Sequence, residues 1–205
     1  MKSIHHLWLP QDIVGGNHAL DLINTVSGWG AKQMQDWIPD ASTFLAWSQM
    51  AGVLSKRENV AACKIAYSPI LADRVLASLK ELRFALWQLI TALERGQRAP
   101  LDTISVLNRW RCNLAFSQEI VFTGGRATLV FRRDVDPIDL PGLRVIAAAT
   151  ELLTDPPSGR LKTCHGTDCG WKFIDNSKNR SRRWCDMDVC GNLSKARRFR
   201  SKHDR

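Results

Sequence analysis

The chain has 205 residues, with 29 Lys and Arg against 20 Asp and Glu, a formal net charge of +9 at pH 7. No run approaches the roughly 18 apolar residues that a membrane-spanning helix needs, and the opening MKSIHHLWLPQD lacks the apolar centre of a signal peptide. The expected compartment is the reducing cytoplasm, with no membrane partner, where disulfides are a poor explanation of six cysteines.

In chain order, residues 1–159 read as mostly helical. Gly15-Gly16 is a turn, and Leu20, Leu22 and Ile23 follow it as an apolar run that starts a helix or a short strand–helix. Pro39-Asp40 opens a short segment with Phe44, Leu45 and Trp47 at helical spacing. Ser55 and Glu58 form a capping box at the head of the next helix. Ser68-Pro69 supplies an N-cap with proline at the first helical position, and Gly96 stops the run. Between them Leu71, Val75, Leu79, Leu82, Leu86, Leu89 and Leu93 recur at steps of three and four residues, which predicts a long amphipathic helix over 69–95. Its apolar side is expected in the core, with a dimer surface as the alternative. A further helix is expected over about 101–115.

The pattern then changes to period two. Ile120 and Phe122, Gly124-Gly125, then Ala127, Leu129 and Phe131 describe a β-hairpin with a glycine turn. Helix returns from Leu140 to Leu153, and Asp155-Pro156-Pro157-Ser158-Gly159 breaks it, which places a domain boundary there. Cys63 and Cys112, alone in helical patterns, are expected to be buried small apolar residues.

Residues 160–205 differ in kind. They hold 13 of the Lys and Arg and 5 of the Asp and Glu, so eight of the nine net positive charges lie here. Such asymmetry points to a polyanionic partner, nucleic acid before an acidic membrane surface, with a solvated tail as the plain alternative. Trp171, Phe173, Trp184 and four cysteines, interleaved with the charge, argue against a disordered tail. Cys164 and Cys169, then Cys185 and Cys190, make two Cys-x-x-x-x-Cys pairs. Two close pairs of thiolates match one structural tetrahedral zinc, with Zn–S bonds of about 2.3 Å. His165 is an alternative ligand, but four sulfurs already complete the tetrahedron and leave no open position for catalysis. A closed four-thiolate centre carries a formal −2, and the module stays basic. Metal binding supplies folding free energy on the order of 10 kcal/mol or more.

Around the metal, residues 170–175 roughly alternate and read as a strand entering a turn, and NRSRRW leads into Cys185. After Cys190-Gly191-Asn192 a helix begins, LSKARRFRSKH, with Leu193, Ala196 and Phe199 at one-turn steps. A knuckle, a hairpin and a second cysteine pair at a helix start resemble a treble-clef or zinc-ribbon-like arrangement. The predicted fold class is thus mainly α with one β-hairpin, plus a small C-terminal four-cysteine zinc module.

The string CHGTDCGWKFIDNSKNRSRRWCDMDVCGNLSKARRFR resembles the CGNR-type zinc finger over nearly all of this module. Upstream, GGNHALDLINT, Gly15 to Thr25, resembles the N-terminal signature of the ABATE domain that accompanies this finger in bacteria. The resemblance implies a bacterial transcription regulator linked to stress response, with a nucleic-acid-binding finger. One position departs from the motif Cys-Gly-Asn-Arg: the fourth residue here is Leu193. Leucine cannot contact phosphate, although it can pack beneath the metal site.

Candidate nucleic-acid contacts are Arg180, Arg182, Arg183, Lys195, Arg197, Arg198, Arg200 and Lys202. Most would neutralise phosphates, and one or two could read guanine in a major groove. Trp171 and Trp184 either stack on unpaired bases or form the module's miniature core. Asn17, Asp21, Asn24 and Thr25 set polar groups among apolar neighbours. They either line a small-molecule effector pocket or cap and tie local backbone. No nucleophile motif, phosphate loop or paired carboxylate accompanies Asp21 and His18, so no enzymatic activity is expected. The leading expectation is a DNA-binding regulator with an N-terminal sensing or assembly domain, as a monomer or homodimer. RNA binding, and a zinc-stapled protein-interaction module, are the alternatives.

Overall fold

The computed structural model describes residues 6–31, 33–157 and 159–203. Met1 to His5 and Ser158 therefore lie outside the described residues, as do the side chains of Lys202 and His203.

The N-terminal domain is built around a short helix. α1 (His18–Ile23) starts where Asn17 caps it, the Asn17 side chain accepting from the Ala19 N–H. Ala19 to Ile23 are all buried, because α1 lies between two longer helices. One is α4 (Pro69–Glu94), which buries Leu79, Leu82, Leu86 and Ile90. The other is α6 (Leu140–Thr154), which buries Leu143, Val145, Ile146 and Ala149. Burying such side chains contributes about 1.5–3 kcal/mol each before entropy is set against it. The leucine periodicity over 69–95 thus serves the core, although Leu93, at its end, stays 38 % exposed.

α2 (Ala41–Met50) begins at Asp40, whose carboxylate accepts from the Thr43 N–H. α3 (Lys56–Ile65) begins at the Ser55–Glu58 capping box. Ser68 at the head of α4 makes no side-chain capping bond, so proline alone sets that start. α5 (Leu101–Phe116) packs beside α4 and α6. Cys63 and Cys112 are both exposed, contrary to the sequence expectation. α3 buries only Ala62, and α5 turns Leu107 and Leu114 inward, so each cysteine falls on an outer face.

Two strands pair before α2, β1 (Val26–Ser27) and β2 (Gln35–Asp36). β3 (Gln118–Thr123) and β4 (Arg126–Phe131) form the expected hairpin, closed at Gly124-Gly125 with both glycines at positive φ. In the C-terminal module β5 (Leu161–Thr163) pairs antiparallel with β6 (Lys172–Ile174). β5 has no periodicity to announce it, being three residues long. A single π-helical turn at Met187–Gly191 then leads into α7 (Asn192–His203). Among the described residues no helix is long and apolar enough to cross a membrane.

Candidate metal centre and nucleic-acid interface

β5 and β6 bring the two ends of the first cysteine loop together. The Cys164 N–H donates to Trp171 O at 2.7 Å, which closes the loop 164–171 across the strand pair. Inside it Cys169 donates its backbone N–H to Gly166 O. A Cβ on Gly166 would stand 3.0 Å from Cys190 Sγ and 3.2 Å from Cys190 Cβ, so glycine lets this knuckle close tightly over the second cysteine pair. The second pair comes from the loop ending at Cys185 and from the π turn that holds Cys190.

The four sulfurs of Cys164, Cys169, Cys185 and Cys190 all lie within 4.8 Å of one another. Cys169 and Cys185 are 3.6 Å apart, and Cys185 and Cys190 3.7 Å. Tetrahedral zinc with bonds of about 2.3 Å needs sulfur–sulfur edges of about 3.8 Å, so the set fits the ion. Backbone N–H groups of Gly166 and Cys185 point at Cys164 Sγ, at 3.3 and 3.2 Å, as donors that favour a thiolate. Hydrogen bonds from Cys169 and Cys185 draw the Cys164 thiol down, and the same bonds to Cys164 push Cys169 and Cys185 up. Burial, then the Cys164 charge, raises Cys190 as well. Four sulfurs this close are charged together only around a cation, which is what a structural zinc supplies. His165 is outside this set, with its Nδ1 3.5 Å from Arg183 Nη2. Cys164 and Cys185, with Phe173 at 0 % exposed, form the module's core.

The cationic side chains flanking the metal divide into two groups. The inner group includes Arg182, whose guanidinium donates to Trp184 O and Cys185 O and lies over the Phe173 ring, 4.5 Å from its centroid. Its place is beneath the loop that carries Cys185. Lys162 donates to the buried Asp175 carboxylate at 2.6 Å and to the carbonyls of Arg180 and Arg182. Asp175 also accepts from the backbone N–H groups of Ser177 and Arg182. Burial works against its charge, but these donors hold its carboxyl well below the usual range. Lys162 and Asp175 thus shape the arginine loop 176–183, a role sequence reasoning missed because Asp175 reads as an ordinary turn residue.

The outer group faces solvent. Arg180 and Arg183 are exposed and, with Lys162, His165 and Ser181, line a cavity of about 470 Å³ beside Cys164. In α7 every residue from Asn192 to Ser201 is exposed except Ser194. Lys195, Arg197, Arg198 and Arg200 therefore all face water, with Arg197 3.9 Å from the Asp168 carboxylate. The Lys202 side chain is outside the described residues. Leu193 is 56 % exposed rather than packed beneath the metal. Ser194 takes the inward position instead, accepting from the Trp184 indole N–H at 3.1 Å.

The four polar residues of the N-terminal motif make backbone ties. Asn17 caps α1 and donates to Ala148 O in α6. Asp21 accepts from the Gly15 N–H at 2.8 Å, and a Cβ at Gly15 would collide with Leu20 Cβ at 2.7 Å. Thr25 donates to Leu22 O and accepts from Arg83. Asn24 reaches the zinc module: its amide donates to Lys172 O at 2.8 Å and accepts from the Lys172 N–H at 2.7 Å. Around this pair, Ile174 N–H donates to Gly15 O, Gly28 N–H to Cys169 O, and Trp171 Nε1 to Ser27 Oγ. The Lys172 ammonium, buried at 3 % exposure, donates to Glu94 at 2.5 Å and to Thr163. The finger is therefore docked on α1 and on the end of α4.

Burial pushes the Asp21 carboxyl up to about 6, against the Gly15 hydrogen bond that favours its charge. A folded-state value above the unfolded one costs stability at neutral pH, and the cost is relieved as pH falls through 6 toward 4. Replacing Asp21 by Asn removes that dependence. Relative to Asp21→Asn, the unaltered protein should gain about 1 kcal/mol of stability from pH 7.5 to 5.5, measured by urea unfolding of zinc-loaded protein. His18 runs the other way, since burial and then Arg144 lower its value, but it is common to both proteins and cancels.

Fold and site together define a helical domain carrying a fused, treble-clef-like zinc finger. Residues 160–203 match the model of the CGNR zinc finger, and residues 16–156 match that of ABATE, described as "Putative stress-induced transcription regulator". The second match spans more than half of the chain, which thus belongs to the ABATE family, with a CGNR zinc finger at its C-terminus. No curated protein gives a significant match.

Proposed function

We propose that this protein is a DNA-binding transcription regulator of the bacterial cytoplasm, without a catalytic step of its own. Its zinc finger binds the phosphate backbone, and its ABATE domain senses a signal or assembles the complex. The observation that carries this reading is α7, a helix of 12 residues fixed at the metal and exposed on every described side chain but that of Ser194. At 1.5 Å per residue it is about 18 Å long and of a width that a B-DNA major groove admits. Arg180 and Arg183 continue its positive charge on the other cysteine loop.

Duplex DNA titrated at several salt concentrations tests the proposal. With five or six phosphates neutralised, log K against log salt should have a slope of about −4.5 to −5.4. Changing Arg197, Arg198 and Arg200 together to Gln should flatten the slope by about 2.7 if each neutralises one phosphate, without altering zinc content. No binding by zinc-loaded protein at about 100 mM salt would sink the proposal and favour a basic docking surface for an acidic protein. Preference for single strands or structured RNA, in competition at fixed salt, would make RNA the partner.

A further inference from the structure

The β3–β4 hairpin projects from the N-terminal domain. Among the described residues its strands pair only with each other. Its register sets Gln118, Ile120 and Phe122 opposite Phe131, Leu129 and Ala127. Directly opposed residues of an antiparallel pair share a face, so these six form one side of the hairpin. None of them is charged. Ile120 is 75 % exposed, Phe122 73 % and Leu129 61 %, and only Phe131, at the stem, meets the main core. A two-stranded hairpin wet on both sides is marginal in water, and an uncovered apolar face with two free edges invites association.

We propose that this face is covered by the same face of a second copy of the chain, in a two-fold symmetric dimer. A two-fold interface must be complementary to itself, and an uncharged apolar face meets that condition because no like charges are brought together. The chain's net positive charge, held mostly in residues 160–205, makes two copies repel, so association is favoured where a surface carries no charge. The area is sufficient. Two strands of six residues with large exposed side chains offer roughly 400–500 Å² per protomer, about 1,000 Å² in all, where specific interfaces begin. Such a dimer carries two fingers, so each would meet its own half-site on a nucleic acid. The dimer itself does not depend on nucleic-acid binding.

Sedimentation equilibrium of the full zinc-loaded chain, without nucleic acid, from about 1 to 100 µM tests the proposal. The unaltered protein is expected to dimerise in that range. Phe122→Glu, and separately Ile120→Lys, should each weaken the dimer by about 30-fold or more, the effect of a hot-spot residue. Both side chains are exposed, so circular dichroism and zinc content should not change. Thr128→Glu, on the opposite face, should leave the dimer intact. A chain monomeric at about 100 µM, a dimer that survives both face variants, or an equal loss with Thr128→Glu overturns the proposal. The first of those outcomes would leave the face to a different protein.

Discussion

Cys169→Ser, or removal of zinc by a strong chelator, should unfold residues 160–203 and leave the N-terminal domain folded but weakened. The module's described buried core is Cys164, Cys185 and Phe173. So small a core contributes only a few kcal/mol, against on the order of 10 kcal/mol or more from a structural zinc. The loss should reach further, because Asn24, Gly28, Ser27 and Glu94 each lose a partner in the finger. Hydrogen exchange would show this directly. Protection should vanish at Cys164, Lys172 and Ile174 and fall in α1, whose C-terminal cap Asn24 then faces a vacated surface. Metal analysis should give one zinc per chain before chelation. Unchanged α1 protection after zinc loss would mean that the interface between finger and domain carries no stability.

Asn24→Ala should cost about 2–5 kcal/mol, since it strands the Lys172 N–H and carbonyl in a site where Asn24 itself is 1 % exposed. Unfolding in urea monitored by tryptophan fluorescence would measure the loss, and a second, earlier transition for the finger would show that the two parts had become uncoupled. Because no charge changes, the slope of any nucleic-acid affinity against salt should stay as it is. A substitution costing less than about 0.5 kcal/mol would show that water replaces the side chain at little penalty.

Ser55 with Glu58, Pro69, and Gly124-Gly125 announce their elements because capping and turn chemistry act within a few residues. The zinc ligands are legible for a related reason: four cysteines in two close pairs match the ligand spacing of one structural zinc. Asn24 was not legible in this way. A polar residue among apolar neighbours fits a ligand pocket as well as a backbone tie, and its partner Lys172 lies 148 residues away. Arg182 and Arg183 are adjacent and chemically identical, yet one lies over Phe173 and braces Cys185 while the other is exposed. Composition assigns both to the same charged surface. Cys63 and Cys112 show the same limit, since periodicity tells that a helix has an inner face but not how wide the packed stripe is.

By itself the sequence determined the mainly helical N-terminal part, the hairpin, the four-cysteine zinc site and the concentration of positive charge around it. Those features follow from local geometry, from periodicity and from the preference of zinc for thiolates. Only the tertiary structure decided which cations are bracing and which are exposed, and that the finger is bonded to α1 rather than tethered. It also decided that one uncharged face of the hairpin is left in water. Each of these depends on which distant segment lies opposite a given side chain, and burial and hydrogen-bond partners across more than a hundred residues are not encoded in spacing.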